Sequence, residues 1–443
     1  MEWKQLLSNH RFGQVGNESS RKDDRTEFYR DFDRLIFSAP FRRLQNKTQV
    51  FPLPGSIFVH NRLTHSLEVS SVGRSLGNDV ARRLIDRHPE LSDTHLSEAG
   101  SIVSAACLAH DMGNPPFGHS GEKAIATFFS ERDGRQYKSQ MSPAQWNDLI
   151  HYEGNANAFR LLTHQFKGRR HGGYVMTYAT LASIVKYPFA SKAAGDKAKF
   201  GFFESEADDY THIASELGIP MLSASPLKFA RHPLVYLVEA ADDICYEVMD
   251  IEDAHKLKIL SLAETQDLLL GFFEPEKQAL IRKNISEAGI NDDNEQVVYL
   301  RSIVINTLER ACVDTFVKNE ESILRGDYQG SLIQNIEPRL RTAYKKCEEI
   351  SYSRIYCSKD AIDIELAGYK IISTLVDLFI HAAMNPEDTY SKLLLRRVSS
   401  QYDVVNGSVY ERIMNVLDFV SGMTDIYALE LYQKINGERI PII

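Results

Sequence analysis

The residues best suited to chemistry stand where an apolar segment gives way to glycine and proline. His110 and Asp111 follow the apolar run 102–108, and the turn-forming residues 113–116 come directly after them. Imidazole and carboxylate groups are ligands for divalent cations, and at a frayed helix end both side chains can turn toward one ion. The turn also reverses the chain, so that His119 can approach the same pocket.

Two distant residues complete the candidate metal-ligand set. His65 lies in the first turn of a helix predicted over about 62–87, and Asp242 interrupts an apolar helix predicted over about 233–250. An ionised carboxylate inside an apolar helix costs free energy unless it is paired or bound to a metal. For the His-Asp doublet taken alone, a surface histidine beside a solvated aspartate is the competing interpretation.

The pattern of these four residues, H…HD…D, resembles the signature of the HD metal-phosphohydrolase superfamily. Four longer words, RLTHSLEV, HDMGNPPFGHSGE, YEGNANAFR and EAADDICY, are similar to the deoxynucleoside triphosphate triphosphohydrolases of the bacterial dGTPase-like branch. The resemblance covers about residues 26–400 and is weaker beyond 260. It implies an all-α fold, an HD-domain helical fold with additional C-terminal helices, and a metal bound by His65, His110, Asp111 and Asp242.

This ligand set also bears on the identity of the metal. Two imidazoles and two carboxylates favour Mn2+, with Mg2+, Fe2+, Co2+ or Ni2+ as alternatives, because bare Mg2+ prefers an all-oxygen shell. A bound metal acts as a Lewis acid and lowers the pKa of a coordinated water. The implied reaction is hydrolysis of a deoxynucleoside triphosphate, dGTP first, to deoxynucleoside and tripolyphosphate by attack of water at the α-phosphorus.

The resemblance assigns three catalytic roles around the metal. His119 is expected to be the general acid for the departing 5′-oxygen, with Glu122 orienting it. Arg62 precedes His65 by one helical turn and is expected to reach the phosphate oxygens. Taken without the resemblance, a surface arginine and a structural histidine remain the alternatives.

Substrate-binding residues are implied at several places along the chain. Tyr246 and Asp250 follow Asp242 at i+4 and i+8, on one helix face; the tyrosine is expected to pack on the deoxyribose and the aspartate to bond the 3′-hydroxyl. An added 2′-hydroxyl would clash with the ring, which predicts a preference for deoxy substrates. The alternative for Tyr246 is ordinary core packing. For Lys186 and Lys199, which are implied to bind the polyphosphate, the alternative is that they are solvated loop cations. The other implied contacts are Gln49 near the sugar and base, Lys186 and Lys199 on the polyphosphate, and Tyr356 and Glu365 near the base.

Helices must position most of these side chains. The βαβ alternation of a nucleotide-binding sheet is missing, and neither GxxxxGK[ST] nor GxGxxG occurs. Residues 62–87 carry an apolar stripe at helical spacing, and another helix is predicted over about 94–111. Residues 165–232 are the least regular and are predicted to form a substrate lid, whereas the polar residues 1–24 are predicted to be a flexible arm.

The chain is predicted to be a single all-α unit over 1–443. Within it, residues 55–255 are expected to form the HD metal-phosphohydrolase core, and residues 256–443 a C-terminal helical extension that completes the nucleotide site and supplies oligomer contacts. The resemblance implies a homo-oligomer, a hexamer by analogy. It also raises an allosteric dNTP or single-stranded DNA as effectors, although no matching residues carry that over.

Composition favours a cytoplasmic protein without a membrane partner. The net charge of -9 disfavours a globally basic nucleic-acid binder, and five scattered cysteines fit reduced thiols. No uninterrupted apolar run approaches the ~20 residues of a membrane span. Residues 371–384 come nearest, but they include Asp377 and His381 and are predicted to form a buried helix.

Two other functions remain open from the sequence. An HD-type 5′-deoxynucleotidase or nucleotide phosphodiesterase would use the same metal site, and a nucleotide- or single-stranded-DNA-binding module could retain that site as a vestige. Tripolyphosphate as product favours the triphosphohydrolase, whereas orthophosphate favours the nucleotidase. His119→Ala separates enzyme from binding module, because only an enzyme would lose turnover.

Overall fold

The fold is almost wholly helical. The computed structural model describes residues 1–14, 25–51, 59–195 and 199–438. The strands within these ranges, β1 (Met221–Ala224) and β2 (Leu227–Phe229), pair as one short antiparallel hairpin. The all-α prediction is therefore confirmed. In chain order the α-helices of the described ranges are α1 (Trp3–Leu6), α2 (Glu27–Ile36), α3 (Ala39–Arg43), α4 (Arg62–Arg87), α5 (Ala99–Ala109), α6 (His119–Glu131), α7 (Pro143–Ile150), α8 (Gly154–Thr163), α9 (Tyr178–Ile184), α10 (Ala207–Glu216), α11 (Val235–Lys256), α12 (Leu262–Leu270), α13 (Pro275–Glu287), α14 (Asp293–Lys318), α15 (Glu320–Arg325), α16 (Pro338–Ile350), α17 (Lys359–Met384), α18 (Thr389–Leu395), α19 (Val409–Ser421) and α20 (Asp425–Ile435).

Helix α4 carries Arg62 and His65, and its sequence explains both where it starts and how it packs. The Asn61 side chain accepts a hydrogen bond from Thr64 N while the Thr64 side chain accepts one from Asn61 N, which closes a capping box. Its apolar stripe is buried against α5 and α11. At Gly77, α4 comes so close to α5 that a Cβ on this residue would lie 2.7 Å from Gly100 Cα. The crossing of α4 and α5 therefore requires glycine there.

Two buried apolar clusters divide the core. The first lies around α4, α5, α11 and α14. The second joins α6 and α7 to the C-terminal helices α17, α19 and α20. Because α6 begins at His119, the C-terminal helices pack directly against the element that carries this residue.

Several predicted elements differ in detail from the structure. The helix predicted over 94–111 divides into a 3₁₀ turn (His95–Glu98) and α5, and the helix predicted over 233–250 extends to Lys256. The segment 165–232 is more regular than predicted, because it contains α9, α10 and the hairpin.

The prediction of a flexible arm over 1–24 is wrong for its first half. Trp3 is buried in α1, and its indole nitrogen donates to Glu320 Oε1 at 2.9 Å. Arg11 lies in a buried ion pair with Asp31. The prediction for residues 15–24 lies outside the described residues.

One helix in the described ranges, α17, is long and apolar enough to cross a membrane, judged by length and composition alone. Of its apolar window, 56% is buried inside the fold. Ile371, Leu375 and Phe379 pack within the second core cluster. Core helices of water-soluble proteins pass the same test, and the burial of these residues agrees with the buried helix predicted over 371–384.

Candidate functional site

The four predicted metal ligands come from three helices that pack together. His65 projects from the second half of the first turn of α4, and Asp242 lies on α11. Helix α5 ends at Ala109, so His110 and Asp111 occupy the turn that follows it. That turn is closed by backbone bonds from Met112 N and Asn114 N. The helix end therefore presents two adjacent side chains to one point, as the sequence predicts.

The ligand atoms of these residues converge. One side-chain atom from each of His65, His110 and Asp111 lies within 4.8 Å of the others. The Asp242 carboxylate reaches both imidazoles, with Oδ1 3.1 Å from His65 Nε2 and 3.5 Å from His110 Nε2. This arrangement provides two nitrogens and two carboxylates around one point.

His110 provides a direct test of whether a metal fits. Its Nδ1 donates to the carbonyl of Cys107 at 2.6 Å, which directs Nε2 toward the cluster. Nε2 is buried and forms no hydrogen bond within the described part of the chain. A ligating histidine whose other ring nitrogen bonds a backbone carbonyl is the common arrangement at metal sites. The residues therefore fit a divalent cation.

The electrostatics of the cluster favour positive charge at its centre. Although burial opposes protonation, Asp111 and Asp242 raise the pKa of His110 to about 9. Burial also opposes ionisation of Asp242, yet the two histidines hold its pKa well below the ordinary value. A bound cation satisfies the same field.

Asp111 is oriented by two neighbours. Arg62 Nη1 donates to Asp111 Oδ2 at 2.7 Å, and the Asn114 amide donates to Oδ1. Arg62 is buried, and its Nε has no hydrogen-bond partner among the described residues. The guanidinium therefore stands beside the metal cluster with a free donor.

His119 and Glu122 form a second pair at the start of α6. His119 Nδ1 lies 2.7 Å from Glu122 Oε2, while Glu122 Oε1 accepts from Gly154 N at 2.7 Å. Burial opposes ionisation of Glu122, but His119 and Lys199 lower its pKa. An ionised Glu122 accepts the Nδ1 proton, so that His119 Nε2 is the ring atom able to exchange a proton with a ligand. The His119 side chain is 70% exposed.

The candidate metal ligands and the His119–Glu122 pair border one cleft. The cleft consists of two adjoining cavities, of about 490 Å³ and about 750 Å³. His110, Asp111 and Asp242 line the larger one. Volumes of this size suit a small organic ligand. Both cavities are lined by Gln49, Arg62, His119, Glu122, Glu153, Lys199, Tyr246 and Tyr356.

The two predicted polyphosphate lysines lie at the cleft, and each contacts a carboxylate. Lys186 lines the larger cavity with Nζ 3.3 Å from Glu239 Oε1, and Lys199 lies 2.8 Å from Glu153 Oε2. Burial disfavours both charges, but Glu239 raises the pKa of Lys186 and Glu122 that of Lys199. Both side chains therefore remain cations.

The predicted sugar-binding residues divide into two groups. Tyr246 and Tyr356 line the cleft with ring centroids 5.9 Å apart, and the Tyr246 ring lies 6.2 Å from His65. Asp250 is buried outside the lining of both cavities and accepts from Tyr356 Oη at 2.7 Å. Burial raises the pKa of Asp250 well above its usual value. Any direct contact between Asp250 and a ligand thus requires the Tyr356 hydroxyl to move.

The structure brings the other predicted residues together as well. Gln49 Oε1 is buried and has no hydrogen-bond partner among the described residues, and Glu365 lines the smaller cavity. His65 lies behind the cavity wall, where it contacts Asp242.

Among the cleft residues that the reasoning from sequence missed are an imidazole and a carboxylate. His151 and Glu153 line the smaller cavity, and Glu153 binds Lys199. Glu153 is also the N-cap of α8, where its side chain accepts from Asn155 N. An available signal was their position, an imidazole and a carboxylate immediately before the start of a helix in HYEGNANAFR.

Two family models match parts of the chain. The HD domain model matches residues 62–151, which hold three of the four candidate metal ligands. A second model, the phosphohydrolase-associated domain, matches residues 335–434 in the C-terminal helices.

Full-length relatives point to one family. Proteins from Pseudomonas aeruginosa and Synechocystis sp., both named deoxyguanosinetriphosphate triphosphohydrolase-like protein, are 37% and 36% identical and cover at least 99% of each chain. A deoxyguanosinetriphosphate triphosphohydrolase of Yersinia enterocolitica is 28% identical over 98% of this chain and 99% of its own. The protein therefore belongs to the deoxyguanosinetriphosphate triphosphohydrolase-like family of HD phosphohydrolases.

Proposed function

We propose that this protein is a metal-dependent deoxynucleoside triphosphate triphosphohydrolase, with dGTP as the first candidate for its substrate. It would release deoxynucleoside and tripolyphosphate. The observation that carries the proposal is that three of the four candidate metal ligands, His110, Asp111 and Asp242, line the same cleft as the His119–Glu122 pair and two lysines. Cations, a proton donor and a metal site are the groups that attack at a phosphorus atom requires.

The metal site and Arg62 act on the α-phosphoryl group. A divalent metal bound by His65, His110, Asp111 and Asp242, with Mn2+ the first choice, would polarise this group and supply a water of lowered pKa. Arg62 is anchored on Asp111 through Nη1, and its side chain lines both cavities, where the guanidinium can donate to a phosphate oxygen. Its fixed position favours the charge that develops at phosphorus.

His119 protonates the leaving group. Departure of the nucleoside breaks the bond between the α-phosphorus and the 5′-oxygen, and the alkoxide formed is a poor leaving group unless it is protonated. Glu122 holds Nδ1, so the proton comes from Nε2. Gly154 N and Lys199 keep Glu122 ionised and in place.

Lys186 and Lys199 bind the polyphosphate. Each lysine contacts a carboxylate, and a triphosphate with about four negative charges outcompetes a single carboxylate. When these ion pairs exchange for phosphate contacts, Arg231 still pairs with Glu239 and the Asn155 amide still donates to Glu153.

Tyr246 supports selection of the sugar. Its ring lines the cleft between His65 and Tyr356, so a deoxyribose bound beside the metal would pack on it. A 2′-hydroxyl on that face would need space that the ring occupies. Asp250 would then bind the 3′-hydroxyl after the sugar displaces the Tyr356 hydroxyl.

The remaining parts of the proposal concern the whole protein. We propose that it acts in the cytoplasm as a homo-oligomer, with residues 55–255 as the HD core and 256–443 as the extension that completes the nucleotide site. Tyr356 and Glu365 in the lining support the role of the extension. Sedimentation of the purified protein, with and without dNTPs, measures the oligomeric state and its dependence on an effector.

The test is turnover of the purified protein with each dNTP and each NTP, with Mn2+ or Mg2+, and separation of the products. We expect deoxynucleoside and tripolyphosphate, faster turnover of dNTPs than of NTPs, loss of activity on chelation and recovery with Mn2+. His119→Ala should lower kcat by about 10²–10⁴ with metal retained. His381→Ala, an exposed histidine away from the cleft, is the matched control and should leave kcat unchanged.

Three results would contradict parts of the proposal. Orthophosphate released from nucleoside monophosphates, without triphosphate cleavage, would indicate a nucleotidase. Nucleotide binding without turnover would indicate a binding module. Equal rates with dNTPs and NTPs would exclude the role of Tyr246 in sugar selection.

A further inference from the structure

The turn that precedes His119 is held by the far end of the chain. Asp425, the first residue of α20, is buried. Its Oδ1 accepts a hydrogen bond from Phe117 N at 2.9 Å, and its Oδ2 accepts one from Thr48 N at 2.7 Å. One carboxylate thus binds the backbone amides of two residues that line the smaller cavity, Phe117 two residues before His119 and Thr48 one residue before Gln49.

The backbone at this turn is one that needs support. Phe117 has φ +61°, in the left-handed region that a residue with a Cβ rarely adopts. Gly118 follows with φ +55°, and His119 then begins α6. Such conformations persist only where the surroundings determine them, and they concentrate at functional sites. Asp425 supplies the partner for the Phe117 amide.

A second C-terminal helix holds the same turn from its other side. A Cβ built on Gly368 of α17 would lie 2.5 Å from Phe117 Cβ, so the phenylalanine lies directly on the glycine. Ser120 Oγ also donates to the carbonyl of Glu365 on α17 at 2.6 Å. The segment that carries His119 therefore contacts both α17 and α20.

A third contact joins Lys47, on the segment before Gln49, to the turn after Asp111 and to the end of α19. Lys47 Nζ donates to the carbonyls of Asn114 at 2.5 Å and Ser421 at 2.8 Å. Lys47 is buried and directly precedes Thr48, the other amide donor to Asp425. The residues before Gln49, the turn after Asp111 and the start of α20 are thus cross-linked by polar contacts.

We propose that Asp425 is a positioning residue that places His119 Nε2 for proton transfer, acting through the Phe117 amide. The inference rests on the proposed function, because only a reaction with a leaving group needs that proton. Small displacements of a catalytic group lower a rate strongly without weakening ground-state binding in proportion. Asp425 also binds Thr48 N, next to Gln49, so the proposed route through the Phe117 amide makes a specific prediction: the effect of Asp425 on kcat depends on His119.

The test is a double-mutant cycle with dGTP, using Asp425→Asn, His119→Ala and the double variant. The asparagine keeps one acceptor oxygen, but its side-chain amide NH2 group faces one of the two backbone donors, Thr48 N or Phe117 N. We expect Asp425→Asn to lower kcat about 10-fold or more with KM changed less than about 3-fold. In the His119→Ala background it should change kcat less than about 2-fold.

The matched control is Asp31→Asn, which alters a buried carboxylate that accepts from Thr177 N but lies away from the cleft. It should lower the melting temperature and leave kcat per folded molecule unchanged. Gly368→Ala is the second variant, since it presses on Phe117 from α17 and should reproduce the kcat loss and the dependence on His119. It serves in place of Asp425→Asn if that variant does not fold.

A readout without turnover separates this inference from the proposed function. Amide hydrogen exchange in peptides covering residues 112–123 should be faster in Asp425→Asn than in the wild type, and unchanged in Asp31→Asn. If the wild type hydrolyses no dNTP, the proposed function fails, whatever the exchange result. If the wild type is active and Asp425→Asn lowers kcat equally in both backgrounds, or leaves exchange at 112–123 unchanged, the positioning role is excluded.

Discussion

Three of the cations at the cleft each contact a carboxylate. Arg62 contacts Asp111, Lys186 contacts Glu239, and Lys199 contacts Glu153. These pairs keep buried charges compensated before a ligand arrives. A polyphosphate that enters must replace some of these contacts, so single-residue changes here should alter substrate affinity selectively.

Lys199 offers the clearest test among these residues. We expect Lys199→Met to raise KM for dGTP about 10-fold, because a phosphate-binding cation is lost. It should also lower kcat, because Glu122 loses a neighbouring cation. Lys192→Met, an exposed lysine in the same segment, is the control and should change neither constant. An unchanged KM in Lys199→Met would remove Lys199 from phosphate binding.

Tyr246 carries the prediction on sugar selection. Tyr246→Ala removes the ring beside the expected sugar position and should raise kcat/KM for GTP relative to dGTP about 10-fold. Tyr246→Phe keeps the ring and should retain the selection. The ratio of the two specificity constants in each variant is the measurement. Identical ratios in all three proteins would place the sugar elsewhere.

At this scale the sequence predicted positions better than it predicted partners. His110 and Asp111 were identifiable because a local break ends the helix beside them. The contact of Lys199 with Glu153 and of Tyr356 with Asp250 joins residues 46 and 106 positions apart. Such pairings depend on tertiary packing, which local patterns do not encode.

Among the elements, the segment before and after Lys199 depends on one buried acid of α7. Asp148 Oδ2 accepts from Glu204 N at 2.8 Å and from Tyr410 Oη of α19 at 2.6 Å, and Ser191 also bonds this carboxyl. Both ends of the stretch 191–204 therefore meet Asp148. Burial, reinforced by Glu206, raises the pKa of Asp148 to about 7.

This shift predicts a pH dependence of stability. Between the unfolded pKa of 3.8 and the folded pKa of about 7, unfolding releases a proton from Asp148. Its contribution is thus complete below the lower value and is lost as the pH rises through the higher one. Asp148→Asn has no ionisable group at this position and therefore lacks this pH dependence, and Ser191 can accept a hydrogen bond from the asparagine amide.

We expect the wild type to lose about 2–3 kcal/mol of unfolding free energy relative to Asp148→Asn between pH 5 and pH 8. Urea unfolding of both proteins at each pH measures the difference. Parallel pH profiles would show that Asp148 titrates normally in the folded protein.

The elements themselves were predictable to different degrees. The apolar stripe of α4 and its cap are local signals, and the bounds of this helix agree with the prediction over 62–87. The segment 165–232 was predicted as irregular because its glycines and lysines mask three short elements. The helix α1 depends on its burial beside Glu320, a contact 317 residues away.

Across the whole molecule, one buried ionic group connects the middle of the chain to its C-terminal helices. Arg160 of α8 binds Glu206 at 2.5 Å and Asp418 of α19 at 2.8 Å. All three side chains are buried. The guanidinium therefore compensates two carboxylates that are buried from solvent.

Arg160→Met should destabilise the protein by about 3–5 kcal/mol, because it leaves two buried carboxylates without their cation. Arg82→Met, which breaks an exposed pair with Asp79, is the control and should cost less than about 1 kcal/mol. Unfolding free energies of the two variants are the measurement. Equal losses would show that the buried pair has no special weight.

The most direct test of the central claim, hydrolysis at the α-phosphorus, is the fate of oxygen from labelled water. The purified protein is incubated with dGTP and Mn2+ in H₂¹⁸O, and the products are weighed by mass spectrometry. Attack at the α-phosphorus with loss of the 5′-oxygen predicts tripolyphosphate that carries one ¹⁸O and deoxyguanosine that carries none. Labelled orthophosphate or pyrophosphate, formed with dGDP or dGMP, would contradict the account.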